Sequence, residues 1–309
     1  MVQEENTTSP GNSFFNFSRK SLLLAVCLIF FVFIINLISY HYLVPRLLGQ
    51  AQSDIHRSLQ RKINTFERNL DKYRYLPLTL AMDSDLQNYL LSPQNYPYAD
   101  ISQKLKNISH AIGADQVFLA SQAGIIVASE QTSGPNALRG HDITFRPYFS
   151  QAVTGQVMAF YAVGTTENMP GYYLSTRMSA AGKNIGLLAL KINMDHLFVQ
   201  DAPLSEPLAL SDAAGIIISS NIPGWKYHTF TETGADSLRA VEDTRQFGGY
   251  KITPLPDIRV SICGDDFRLM SVRGETFITA RADIPGTSMY LTGMASASPV
   301  FCHGWLRIA

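Results

Sequence analysis

One pattern of eleven residues occurs twice in this chain and constrains the fold more than any other feature. Residues 119–129 read LASQAGIIVAS and residues 210–220 read LSDAAGIIISS, so that Gly124 aligns with Gly215, 91 residues later. In both copies a Gly separates apolar runs rich in β-branched residues, which is typical of a β-hairpin. Two matching hairpins at a domain-sized spacing predict tandem copies of one fold. Chance similarity between two short strands is the alternative.

The same order of elements follows each hairpin. After the first hairpin, the pattern predicts a helix and then three strands, at residues 147–156, 158–165, 171–178 and 185–192. After the second, it predicts the same succession at residues 235–245, 259–263, 275–282 and 288–294. Antiparallel sheets with helices on their faces make the predicted fold class α+β.

A run of 24 residues without Asp, Glu, Lys or Arg lies near the N-terminus, at residues 21–44. At 1.5 Å per residue, such a helix spans the roughly 30 Å hydrocarbon core of a bilayer. Tyr40 and Tyr42 stand where an interfacial aromatic belt would lie. The run therefore predicts a single transmembrane helix, preceded by a cytoplasmic tail at residues 1–20. A cleaved signal peptide is the alternative, although no small-residue cleavage site follows. The flanking charges do not settle the orientation.

Apolar positions recur with the α-helical period after Pro45, at Leu48, Ala51, Ile55, Leu59, Ile63, Phe66, Leu70 and Tyr73. Their mean spacing is about 3.6 residues, which predicts a long amphipathic helix within residues 45–92. Pro77 should kink this helix, and Ser92 with Pro93 should end it. The apolar stripe is either the seam of a homodimer or a face that packs on the following domain.

Composition and motifs exclude several classes of function. The formal net charge is zero and only 16 % of the residues are charged, which argues against a nucleic-acid partner. The sequence contains no Gly-rich phosphate loop, no HExxH, no Cys/His spacing typical of a metal site and no GxSxG elbow. We therefore expect no enzyme activity, no cofactor and no metal.

Two cations stand among hydroxyls and aromatics in the first copy. Arg146 lies at the start of the predicted helix and Lys191 on the last predicted strand, and both residue types bind carboxylates. Strand alternation predicts that Tyr173, Ser175 and Lys191 share one face with Tyr161 and Thr165. The opposite face carries Leu174, Leu188 and Leu190, which should form the core beneath the long helix. The competing interpretation is that Arg146 and Lys191 are ordinary surface cations.

Several sequence words resemble one bacterial family: FRPYFSQAVTGQ, FYAVGTTENMPGYYLS, LLALKINMDHL, GWKYHTF and IPGTSMYL. The chain resembles the extracytoplasmic sensor region of C4-dicarboxylate sensor histidine kinases, a tandem (double) Cache domain, over roughly residues 21–307. The resemblance implies PAS-like antiparallel-sheet domains. It implies a membrane-distal, ligand-binding Cache domain at residues 93–198 and a membrane-proximal one at residues 199–298.

The resemblance also implies the residues of the ligand site. Carried over position by position, Arg146 and Lys191 are carboxylate-binding cations. Hydroxyl side chains complete the implied pocket: Tyr148, Tyr161, Thr165, Tyr173 and Ser175, with Thr166 and Tyr172 as neighbours. The implied ligand is a small dicarboxylate such as succinate, fumarate or malate. An amino acid is the alternative, because Glu167 could meet an ammonium group.

The chain departs from the family at its C-terminus. Relatives continue through a second membrane helix into a histidine kinase, whereas residues 299–309 resemble only the start of a truncated exit helix. We expect a sensing module without catalytic activity, in the inner membrane with residues 45–309 in the periplasm, and a homodimer formed through the N-terminal helix. The alternatives are a ligand-free Cache dimerisation scaffold and the sensor part of a chemoreceptor.

Overall fold

A computed structural model describes residues 19–130, 137–164, 169–194, 206–256, 258–263, 267–272 and 274–297. Residues 51–298 belong to one compact unit, and residues 1–50 belong to another together with residues 299–309. The unit of residues 51–298 contains both sheets and the candidate site.

Helices dominate the N-terminal part of the chain. Helix α1 (Arg19–Ile38) is followed by a π-helical turn (Ser39–Leu43) and by helix α2 (Val44–Arg74). Within the described ranges, no helix combines the length and the apolar character needed to cross a membrane. The predicted transmembrane helix is therefore not confirmed.

The apolar stripe of α2 packs inside the chain. Ile55, Leu59 and Phe66 are at most 7 % exposed. A Cβ placed on Gly293, in the second sheet, would lie 2.9 Å from Leu59 Cδ2, so the two backbones approach closely there. The sequence left two roles open for the stripe, a homodimer seam or packing on the following domain. The structure shows that it packs on the chain's own domain. The homodimer seam stays a prediction.

The predicted long helix is shorter than expected. Helix α2 ends at Arg74, and α3 (Leu76–Leu80), α4 (Ser84–Leu91) and α5 (Tyr98–Ile112) follow as separate elements. Pro77 lies in the first turn of α3, where its missing N–H is not needed. The Asp83 side chain accepts hydrogen bonds from the N–H groups of Asp85 and Leu86 and so caps α4. Residues 75–92 thus start new helices instead of continuing the first.

The first sheet is antiparallel, with the order β2-β1-β5-β4-β3. Its strands are β1 (Gln116–Ala120), β2 (Ile126–Ser129), β3 (Met158–Val163), β4 (Pro170–Ala180) and β5 (Lys183–Ile192). Leu188 and Leu190 on β5 are buried with Leu86 of α4 and Leu105 of α5. The leucine face is therefore core, as predicted, but α4 and α5 rather than the long helix pack against it. The other face packs against α6 (Pro147–Ser150), which is shorter than predicted.

The second sheet has the order β10-β11-β12-β13-β6-β7. Its strands are β6 (Leu208–Ser211), β7 (Ile217–Ser220), β10 (Ile258–Cys263), β11 (Phe267–Val272), β12 (Glu275–Asp283) and β13 (Tyr290–Ser296). A short parallel pair, β8 (His228–Thr229) with β9 (Thr253–Pro254), and helix α7 (Ala235–Asp243) lie between β7 and β10. Strand β11 was not predicted. The order β7-β6-β13-β12-β11 repeats that of the first sheet, which confirms the tandem copies.

The two hairpins agree in detail. Ala120 pairs with Ile126 and Ser211 pairs with Ile217, and each register shifts at the same step. The N–H of Gly124 donates to the Ser121 carbonyl, and that of Gly215 donates to the Asp212 carbonyl, both at 3.0 Å. Both glycines have a positive φ, which other residues adopt only with strain. The repeated Ala-Gly of the sequence therefore marks one turn made twice.

The turn at Gly124 should tolerate no side chain. A Cβ there would lie 2.5 Å from Thr144 Cγ2 and 3.1 Å from the Phe149 ring, whereas one on Gly140, also at positive φ, would meet nothing within 4 Å. We expect Gly124→Ala to lower the free energy of unfolding by about 2–4 kcal/mol and Gly140→Ala by about 1 kcal/mol. Urea denaturation measures both values. Equal losses would contradict the packing described here.

Candidate ligand-binding site

A small cavity lies on the face of the first sheet that packs against α6. Its volume is about 20 Å³, enough for a single water-sized body. The lining residues come from β1, β2, β4 and β5, from α6 and the segment leading into it, and from the residue after β3: Gln116, Phe118, Ile126, Leu138, His141, Ile143, Arg146, Tyr148, Gly164, Tyr173 and Lys191. Four residues of the predicted site are thus brought together, namely Arg146, Tyr148, Tyr173 and Lys191.

Arg146 immediately precedes α6 and is 3 % exposed. One terminal nitrogen of its guanidinium donates to the carbonyls of Thr244 (3.2 Å) and Arg245 (2.9 Å), and the other donates to the carbonyl of Val163 (2.7 Å). Burial lowers the pKa of Arg146 from its ordinary value, but a guanidinium remains charged in proteins. These bonds use three of its five N–H donors, and within the described residues the other two have no recorded acceptor.

Lys191 reaches the same cavity from β5 and is 1 % exposed. It lies opposite Gln116 on β1 and Tyr173 on β4. Its stem passes over Gly171, where an added Cβ would lie 2.5 Å from Cγ and 2.7 Å from Cε. A Cβ on Gly164 would lie 3.7 Å from Lys191 Nζ and 3.4 Å from the Tyr173 hydroxyl. The ammonium and that hydroxyl therefore converge at Gly164.

Aromatic rings form the wall between the two cations. Tyr148 and Tyr173 stack with their centroids 4.7 Å apart, and the Phe118 ring meets both edge-on. Burial raises the pKa of Tyr148, so its hydroxyl stays protonated and able to donate. Ser175 is fully buried and its hydroxyl donates to the Tyr148 carbonyl at 2.5 Å. Ser175 thus fastens α6 to β4 from behind the pocket.

Of the other predicted residues that the structure describes, Tyr161, Tyr172 and Ser175 do not line this cavity. Tyr161 pairs directly with Tyr172, while Phe160 pairs with Tyr173. Because directly opposed residues share a face, Tyr161 lies on the face away from Lys191, and its predicted position was wrong. Its hydroxyl donates to the Ile218 carbonyl at 3.3 Å. Thr165, Thr166 and Glu167 lie outside the described residues.

Strand β1 and the segment before α6 contribute residues that the sequence did not predict as part of the site. Gln116 is 4 % exposed and lines the cavity beside Lys191. A polar residue that opens the apolar strand QVFLA was the one available signal. Leu138 and Ile143 contribute apolar contacts that composition alone could not assign to a site.

The second copy lacks the cationic pair at the corresponding positions. Ala189 pairs with Phe118 in the first sheet as Thr292 pairs with Ala209 in the second. Two residues further along, Met294 therefore takes the place of Lys191, and it pairs with Thr279 as Lys191 pairs with Tyr173. Met294 packs in an apolar cluster that includes Trp225 and Phe277. In the second copy this space is filled by core side chains.

A second, wider cleft lies where the two sheets meet and has a volume of about 730 Å³. Tyr161, Tyr172, Asp212 and Gln246 are among its lining residues. Asp212 is 7 % exposed, and burial raises the pKa of its carboxyl to about 6, although the N–H of Ile216 and the Gln246 amide donate to it. A charged carboxylate is therefore held here at a cost near neutral pH.

Two sensor proteins are similar to this chain in sequence. The C4-dicarboxylate transport sensor protein DctB of Rhizobium meliloti is 29 % identical over 238 residues, which cover 77 % of this chain and 36 % of the relative. DctB of Pseudomonas aeruginosa is 24 % identical over 217 residues, covering 70 % of this chain and 35 % of the relative. The chain thus spans about a third of the length of these relatives. No protein-family model matches it.

Solved structures share the fold. The sensor domain of the V. cholerae histidine kinase DctB has a TM-score of 0.73 at 20 % identity, covering 82 % of this chain and 99 % of that one. The ligand-binding domain of the Pseudomonas fluorescens chemoreceptor CtaA, in complex with L-serine, has a TM-score of 0.55 at 14 % identity, covering 81 % and 99 %. These findings confirm the resemblance to the DctB sensor region and the Cache-like, mixed helix and antiparallel-sheet fold.

Asp212 should make stability depend on pH. Its folded-state pKa of about 6 lies above the ordinary value of 3.8, so its contribution to stability is full below about pH 4 and is lost as the pH rises through 6. The side chain of the Asp212→Asn variant cannot ionise. The free energy of unfolding of this variant should therefore exceed that of the native chain by about 1–3 kcal/mol at pH 7.5, with no gain at pH 4. Urea denaturation at both pH values tests this. Asp100→Asn, at an exposed position, is the control, and a gain independent of pH would contradict the assignment.

Proposed function

We propose that this chain is the extracytoplasmic sensing module of a membrane-bound two-component system and that it binds a small C4-dicarboxylate in the first copy. The observation that carries the proposal is the presence of two buried cations, Arg146 and Lys191, in the lining of one cavity. The names of the sequence relatives, both C4-dicarboxylate transport sensor proteins, support the ligand class.

The two cations would engage opposite ends of the ligand. The two free N–H donors of Arg146 can hold one carboxylate, and the Lys191 ammonium with the Tyr173 hydroxyl can hold the other. The stacked rings of Tyr148 and Tyr173 exclude water from the space between, which strengthens both charge pairs. A ligand of eight heavy atoms needs more room than about 20 Å³, so the cavity has to widen on binding.

A ligand-free scaffold is the second candidate, favoured by one observation. Arg146 already donates to three backbone carbonyls, so it could serve only as a strut between the copies. In either case the proposed homodimer would need the polar side of α2, because Ile55, Leu59 and Phe66 are buried within the chain.

Removal of the Lys191 charge should distinguish the two candidates. Loss of one partner from a buried charge pair costs about 2–5 kcal/mol. Lys191→Met should therefore weaken succinate binding roughly thirtyfold to several thousandfold. Lys183→Met changes an exposed lysine of the same strand and should leave binding unchanged. Calorimetric titration of the purified chain with succinate, butyrate and L-serine provides the measurement.

The same titration contains two further checks. Gly171→Ala keeps both cations but places a methyl group against the Lys191 stem. It should therefore weaken succinate binding, as Lys191→Met does. Butyrate should bind far more weakly than succinate, because it offers a carboxylate to only one of the two cations. Equal affinities for the two acids would refute the dicarboxylate site, and tighter binding of L-serine would replace it with an amino-acid site.

We also propose that the uncharged run at residues 21–44 attaches the chain to the inner membrane, with the sheets on the periplasmic side. The full chain should then remain in the membrane fraction after an alkaline carbonate wash. A protease added to spheroplasts should cleave it beyond residue 45. Recovery of a shortened, released product would instead identify the run as a cleaved signal peptide.

A further inference from the structure

Residues 244–246, which follow α7 in the second copy, lie against the first copy at the end of β3. The Arg146 guanidinium donates to the carbonyls of Thr244 and Arg245. The N–H of Val163, the last residue of β3, donates to the Gln246 carbonyl at 2.7 Å. The Val163 carbonyl accepts the third bond from Arg146, so one short segment and one strand end enclose the guanidinium.

These carbonyls do more than compensate a buried charge. The C-terminal end of a helix carries a partial negative charge, and Thr244 is the C-cap of α7. A guanidinium is planar and rigid, so three acceptors bound to its two terminal nitrogens also set its orientation. The direction in which its two remaining donors point is therefore determined by where residues 244–246 lie.

The segment is in turn held from within the second copy. The Gln246 side-chain amide donates to Asp212 Oδ2 at 3.3 Å, and its backbone N–H donates to the Val241 carbonyl at 3.0 Å. Asp212 itself is fixed by the Ile216 N–H, which donates to Oδ1 at 2.9 Å. The turn of the second hairpin thus sets the position of Gln246.

We propose that residues 244–246, anchored by Asp212 through Gln246, form a positioning element of the ligand site in the first copy. Gln246 acts through Arg146 and touches no ligand. The inference rests on the proposed function, and it adds that the second copy completes the site of the first. By linkage, whatever loosens this segment weakens ligand binding, and ligand binding strengthens the hold of Arg146 on the segment.

A charge change and its reversal test the anchor. In Gln246→Glu a carboxylate replaces the amide that faces Asp212, and the two like charges should displace the segment. Succinate binding by the purified full chain at pH 7.5 should weaken about tenfold or more. In the double variant Asp212→Asn with Gln246→Glu, the Asn amide can donate to the new carboxylate while its oxygen still accepts from Ile216. The double variant should regain native affinity to within about threefold.

Controls separate positioning from general damage. Gln246→Ala removes the anchor without adding a charge and should weaken binding about threefold to tenfold. This variant tests the anchor even if Gln246→Glu does not fold. Arg239→Ala, at an exposed side chain of α7, should bind succinate as the native chain does.

The outcomes distinguish this inference from the function on which it rests. If Lys191→Met weakens succinate binding but Gln246→Glu and Gln246→Ala do not, the inference is overturned and the proposed function stands. Weakening that the double variant fails to reverse would also overturn it, because it would indicate nonspecific damage. Failure of the native chain to bind any small dicarboxylate would overturn both.

Discussion

The burial of the Arg146 guanidinium is the constraint on which the junction of the two copies depends. A charge that is 3 % exposed is costly unless hydrogen-bond acceptors compensate it. The carbonyl of Val163 supplies one acceptor from the first copy, and those of Thr244 and Arg245 supply two from the second. Any shift between the copies would break these bonds, so the charge makes the relative placement of β3 and of the segment after α7 specific.

The two copies share a backbone but use it differently. The hairpins agree down to the register shift and the positive φ of the turn glycine. On the face behind each hairpin, however, Lys191 and Tyr173 in the first copy correspond to Met294 and Thr279 in the second. A long apolar side chain fills the space in which the first copy places an ammonium. One copy therefore has a cationic cavity, and the other has an apolar core at the corresponding place.

The polar groups at the junction carry a cost that a purely structural interface would avoid. Arg146 and Asp212 are both largely buried. Arg146 depends on three backbone carbonyls, and Asp212 depends on the N–H of Ile216 and the amide of Gln246. Replacement of such groups by apolar residues often stabilises a protein. Under the proposed function, these groups would allow the junction to respond to a bound anion, since Arg146 lies in both the cavity lining and the junction.

The sequence by itself determined whatever depends on local period and residue type: the repeated hairpin, the α+β class, the stripe of α2, the core face with Leu188 and Leu190, and the two candidate cations. Tertiary structure decided whatever depends on register and on distant partners. Tyr161 and Tyr173 look equivalent in sequence, but pairing between β3 and β4 places them on opposite faces. Two of the three acceptors of Arg146 lie 98 and 99 residues away at Thr244 and Arg245, at the end of another helix. No periodicity reports such contacts, because strand pairing and packing between copies are set by the whole fold and not by neighbours in the chain.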